Sequence, residues 1–142
     1  MKTLKTIMLG LVLLVVCGVA KANPIPEPET LTKTYAVNTY INAITRGKLD
    51  GFSDVLDQSV KFSMLRGSEI LCFDKKQMVD FMKKVKNIQQ ACTTSIHVVE
   101  SGNDVAVIRV DMKFENFMRS NYVTVANTPR GWKITNVHSV FK

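Results

Sequence analysis

The sequence predicts an α+β domain in which a curved antiparallel sheet carries three helices on one face. Three observations predict it. Apolar residues recur at helical spacing in three stretches, all before residue 90. From residue 91 onward the chain alternates with the period of a strand. Gly-containing turns at Ser101-Gly-Asn-Asp104 and Thr128-Pro-Arg-Gly131 divide that half into consecutive strands, the pattern of an antiparallel meander. The resulting order is α-α-β-β-α-β-β-β-β.

The chain opens with an export signal. Lys2 and Lys5 precede a nearly unbroken apolar run over residues 7–20, and Ala20-Lys21-Ala22 offers small residues at the two positions a signal peptidase reads. A run of 14 residues is shorter than the ~20 a spanning helix needs, so cleavage after Ala22 is expected and no membrane span remains. The expected destination is the periplasm or the extracellular space. Lipidation at Cys17 is the lesser reading, because Val16 before it is not small. Residues 23–29 carry three prolines, which prevent a helix and read as an extended linker. Residues 30–142 form the domain.

In the domain, Thr30 or Thr32 can cap a first helix whose stripe is Val37, Tyr40, Ile41 and Ile44, with Gly47 ending it. Asp50 can cap a second, short helix carrying Phe52, Val55 and Leu56. Residues 59–65 alternate Val60, Phe62 and Met64 against Ser59, Lys61 and Ser63, and residues 69–73 complete a hairpin across Arg66-Gly-Ser68. Asp74 and Gln77 stand at capping-box spacing, and Met78, Phe81, Met82 and Val85 extend a third helix to about Asn87. Its lysines read as a solvated face rather than an anion-binding one. Strands follow over residues 92–100, 105–115, 118–127 and 132–141.

Composition narrows the function. Of 142 residues, 46% are hydrophobic and 22% charged, as in an ordinary globular domain. Net charge is +7, and falls to +4 once residues 1–22, with three Lys and no acid, are removed. That is too little to argue nucleic-acid binding. His97 and His138 are far apart in sequence, with no matching carboxylate spacing and no Cys-x-x-Cys, so no metal is expected. No phosphate loop, dinucleotide fingerprint or nucleophile elbow occurs, and no cofactor is implied. Cys72 and Cys92 remain after cleavage. The strands they bound need not be neighbours, so free, buried thiols are expected.

Two segments carry a resemblance. Tyr40-Ile-Asn-Ala-Ile-Thr-Arg-Gly-Lys-Leu-Asp-Gly-Phe52 resembles the first helix and Gly-x-x-Asp turn of the nuclear transport factor 2-like superfamily. Gly131-Trp-Lys-Ile-Thr-Asn136 resembles its closing strand. Within the superfamily the chain is most similar to exported bacterial proteins labelled putative lumazine-binding. The resemblance implies a cone, a curved sheet folded around a pocket. Its members include ketosteroid isomerase, scytalone dehydratase and polyketide cyclases, together with non-catalytic binding and dimerisation modules, so fold alone does not decide function.

The strand faces carry the candidate chemistry. On the strand over residues 105–115, Ala106, Ile108, Val110, Met112 and Phe114 share one face and Asp111 the other. Turning Asp111 inward as a base would bury Arg109 and Lys113 as well, so it is placed outside. On the last strand, Trp132, Ile134, Asn136 and His138 fall on one face by simple alternation, which brings His138 into the pocket. With no inward carboxylate to tune it, His138 is expected to shape the pocket as a hydrogen-bonded, semi-buried histidine. The expected reading is a non-catalytic domain binding a small apolar or aromatic molecule against Tyr40, Met64, Met112, Trp132, Asn136 and His138. The alternative is an isomerase- or dehydratase-like enzyme using His138 with Tyr40 or Tyr122. A third is an interaction module whose pocket is filled core. Val105, Val107, Val123, Val125, Thr135 and Val137 suggest a β-branched patch on the outer sheet face, fit for a homodimer.

Overall fold

Thr32 starts the first helix, and its hydroxyl accepts from the Tyr35 amide at 3.1 Å. The computed structural model describes residues 28–142, so the signal segment and most of the linker lie outside the described residues. Helix α1 (Lys33–Arg46) follows a single 3-10 turn and ends at Gly47 in the left-handed conformation. Helix α2 (Phe52–Val55) is capped by Gly51, not Asp50, which falls one residue too early. Strand β1 (Leu56–Arg66) begins directly after it and pairs with β2 (Glu69–Phe73).

Helix α3 (Lys75–Lys84) has the full capping box. Asp74 accepts from the Gln77 amide at 2.8 Å, and Gln77 accepts from the Asp74 amide at 2.9 Å. It stops at Lys84, short of Asn87, which itself adopts φ 62° in the following turn. Strands β3 (Thr93–Ser101), β4 (Val105–Lys113), β5 (Met118–Thr128) and β6 (Gly131–Phe141) complete the chain.

The six strands form one curved, unclosed sheet in the order β2-β1-β6-β5-β4-β3, with the helices on its inner face. The expected architecture is present with one correction. Strands β1 and β6 pair in parallel, so the sheet is mixed rather than wholly antiparallel. No hairpin links these two strands. They meet only because the first hairpin lies beside the last strand, which local turn chemistry does not encode.

The core lies between α1 and the middle of the sheet. Ala36, Tyr40 and Ala43 pack over Val123, Val125, Ile134 and Val137, all wholly or almost wholly buried. This overturns the outer β-branched patch. Val123 and Val125 pair directly with inward-facing Ile108 and Ala106, so they share the inner face. What remains outside is Val105 and Val107 among polar side chains such as Arg109, Tyr122, Asn136 and His138.

A bulge in β6 causes the largest difference in facing. Val125 pairs with Ile134, but Thr124 pairs with Asn136, leaving Thr135 as an extra residue. Before it, Trp132 and Ile134 point inward. After it, Val137 and Ser139 do, and Asn136 and His138 turn out. Cys72 and Cys92 are both free. Cys72 is exposed rather than buried, because β2 is an edge strand of the sheet, and Cys92 is half-buried.

Candidate functional site

The inner face of the sheet does not close on the helices everywhere. Between β1, β2, β4 and β5 on one side and α1 and α3 on the other lies a cavity of about 650 Å3. The interior is therefore not filled core. Strand alternation aims Phe62 and Met64 of β1 and Met112 of β4 into it, and helical spacing brings Tyr40 of α1 and Met78 and Met82 of α3 down from above. Four methionines and four phenylalanines line it, a wall that is apolar and, through the unbranched thioethers, able to adapt to a guest. Two depressions of about 390 and 420 Å3 elsewhere are lined mainly by charged and polar side chains such as Lys75, Asp57 and Arg130.

A polar network adjoins the cavity on its sheet side, while Gln77, Asp80 and Lys84 of α3 and Gln90 after it lie on the other. Arg119 of β5 pairs directly with Met112 and so faces inward. Its Nε donates to Asn121 Oδ1 at 2.9 Å and an Nη donates to Ser139 Oγ at 3.1 Å. Ser139 in turn donates to Asn121 Oδ1 at 2.6 Å, and Asn121 donates to the Met112 sulfur at 3.5 Å. Tyr40 is buried, and its hydroxyl has no hydrogen-bond partner among the described residues. Burial pushes its phenol up to about 12, against the pull of the nearby Arg119 charge, so it stays protonated and a donor. At the rim Phe117 stacks on Phe114 with centroids 4.5 Å apart and leans on Phe141 at 6.3 Å.

The predicted site residues divide. Tyr40, Met64 and Met112 line the cavity. Trp132 faces inward but at the other end of the sheet, where the Lys33 ammonium sits 4.5 Å from its ring centroid. Asn136 and His138 are on the outer face, where His138 Nδ1 lies 2.8 Å from Ser63 Oγ. Tyr122 pairs with His138 and is outside too. His138 and Tyr40 are thus on opposite faces of the sheet, and His138 and Tyr122 lie together on the outer face, away from this cavity. Arg119 went unread in the sequence. Counting outward from the turn that pairs Lys113 with Met118 would have placed it opposite Met112.

The outer face holds a second cluster. Asp111, with 8% of its surface exposed, accepts from Ser120 Oγ at 2.7 Å and Arg109 Nε at 3.1 Å, with His97 Nε2 at 3.3 Å. Burial alone would raise its pKa, but the Ser120 hydroxyl and the Arg109 and His97 charges outweigh it and hold the carboxyl below its ordinary value. A carboxyl whose pKa is lower folded than unfolded stabilises the fold above the unfolded value, and this is lost as pH falls through the folded one. Asp111→Asn is expected to cost roughly 1–3 kcal/mol at pH 7. Urea denaturation should show that penalty constant above about pH 5 and shrinking below it.

No group of three or more His, Cys, Asp and Glu suited to a metal occurs among the described residues, and none of their helices is long and apolar enough to cross a membrane. Comparison with known proteins gives the family. The solved structures similar to this chain include a nuclear transport factor 2-like protein of unknown function from Silicibacter pomeroyi, 17% identical, with TM-score 0.64 over 77% of this chain and 92% of that one. Another is a protein of unknown function from Pectobacterium atrosepticum, 17% identical, with TM-score 0.61 over 82% and 93%. A third is described as a putative aromatic ring hydroxylase from Novosphingobium aromaticivorans, 18% identical, with TM-score 0.56 over 79% and 87%. At these identities they establish the fold alone. No curated protein matches the chain. The family model described as "Putative lumazine-binding" matches residues 29–141. With a nuclear transport factor 2-like fold and a match across the whole domain, the chain belongs to the putative lumazine-binding family.

Proposed function

We propose that this domain binds a small, mainly apolar or aromatic molecule inside the cone, as an exported protein that has lost residues 1–22, and that it does so without turnover. The cavity carries the proposal. Its volume of about 650 Å3 lies within the ordinary range for small-molecule sites, and its wall is mainly apolar with a few polar groups. The family description, which names binding of a small molecule, points the same way. Binding is favoured over catalysis because the one carboxylate among the described residues of the cavity wall, Asp80, is held at the surface by Lys76 at 2.7 Å and Lys83 at 4.0 Å. Export rests on the charged start, short apolar run and Ala20-Lys21-Ala22.

Native mass spectrometry tests both parts on the full-length gene product recovered from the cell envelope. The expected protein mass lacks the first 22 residues, and a further mass is retained that collision releases. Met64→Trp, which fills part of the cavity, should lose the retained mass while its Tm shifts by a few degrees at most. An intact leader would refute the export reading, and a lipid on Cys17 would refute cleavage after Ala22. A retained mass unchanged by Met64→Trp would refute the binding site.

A further inference from the structure

We infer that the ligand of this cavity carries a carboxylate, received by Arg119 and Tyr40. This rests on the reading that the cavity binds a small molecule and names the chemical class of that molecule. The argument begins with Arg119. A guanidinium offers five N–H donors, and here two go to Asn121 and Ser139, both neutral acceptors. Arg119 is half-buried, yet it makes no ion pair among the described residues. A charge withdrawn from water without a counter-charge is unfavourable, and the remaining donors have the cavity in front of them. Asn121 and Ser139 hold one edge of the guanidinium, and its carbon lies 5.7 Å from the Phe141 ring centroid. Its plane is therefore fixed before any guest arrives.

Tyr40 adds the second donor. Its hydroxyl lines the same cavity, lacks a protein partner among the described residues, and lies close enough to Arg119 to feel its charge. No buried side-chain nitrogen or oxygen among the described residues is both sealed and unpaired, so this hydroxyl opens onto the cavity. The Arg119 guanidinium has donors only, and the protonated Tyr40 hydroxyl can donate beside it. A guest must answer with acceptors, and a charged acceptor removes the uncompensated charge as well. One guanidinium and one phenol match the two oxygens and single charge of a carboxylate. A phosphate dianion would leave one charge and at least one oxygen uncovered by these two groups, and Lys84, the other cation on the described wall, is exposed at the end of α3. The apolar remainder of the guest then lies along Met64, Met112 and Phe62.

The test uses acids and their neutral isosteres on the delipidated wild-type protein: 2-naphthoate against 2-naphthamide, and decanoate against decanamide, by titration calorimetry. Each acid is expected to bind at least about tenfold more tightly than its amide, the size of one charge-assisted contact. Arg119→Lys should keep part of that preference and Arg119→Gln should erase it, with circular dichroism reporting whether each variant is folded. The wild-type comparison stands even if Arg119→Gln fails to fold. Amides that bind as tightly as acids overturn the carboxylate assignment and leave the cavity reading standing. No binding by any of the four probes overturns both.

Discussion

Replacing Gly47 by alanine is expected to destabilise the domain by about 2–4 kcal/mol, enough to lower Tm by on the order of 10 °C. Gly47 ends α1 at φ 64°, where an L side chain is strained by itself. Its surroundings add more. A Cβ there would meet the Asn87 amide nitrogen at 2.5 Å, the Ile88 nitrogen at 2.8 Å and the Val85 oxygen at 2.9 Å. These are backbone atoms and cannot rotate away. The Gly47 carbonyl also accepts from the Asn87 amide at 3.0 Å, so pushing the two segments apart breaks that bond. Gly67 is the control. It has the same φ of 64°, but nothing lies within 4 Å of its would-be Cβ, so Gly67→Ala should cost only about 1 kcal/mol. Denaturant titration of the two variants separates backbone strain from contact. Equal losses would mean that the approach of α1 to the segment after α3 contributes nothing. The contact also matters for the cavity, because Gly47, Val85 and Ile88 all form part of its wall.

Local chemistry made the helices legible. Thr32, Gly47 and the Asp74–Gln77 box act within four residues, and each does in the structure what its type and spacing imply. Strand facing was legible where alternation ran unbroken, as from Ala106 to Met112. It failed on β6 because one extra residue reverses every side chain beyond it. The sequence did carry a trace of that bulge. Trp132 and Ile134 stand two apart, but the next buried apolar residue, Val137, stands three further on. Simple alternation could not hold all three on one face. The parallel pairing of β1 with β6 left no such trace, since it depends on where a distant hairpin comes to rest. Arg119 was overlooked for a related reason. A charged side chain on a strand reads as solvated unless the partner opposite it is known, and the partner here is the buried Met112.

The buried Asn121 provides a sharp test of that facing. Asn121→Leu is expected to cost about 2–4 kcal/mol, although leucine is similar in size and more apolar. Asn121 is fully buried, and its Oδ1 takes hydrogen bonds from both Arg119 and Ser139. Removing that oxygen leaves a buried hydroxyl and a guanidinium nitrogen without their acceptor, and neither can reach water freely. The loss belongs to the network rather than to one bond, so the penalties should not add. Ser139→Ala in the Asn121→Leu background removes the stranded hydroxyl, and the double variant should lose less than the two single losses combined, by about 1 kcal/mol. Asn136 is the counterpart on the other side of the sheet. It is exposed beyond the bulge, and Asn136→Leu should change stability by no more than about 0.5 kcal/mol. Unbroken alternation along β6 makes the opposite prediction, with Asn136 facing the cavity and costly to replace. Urea denaturation of Asn121→Leu and Asn136→Leu therefore decides between the two facings, and a larger loss at Asn136 than at Asn121 would remove the bulge at Thr135.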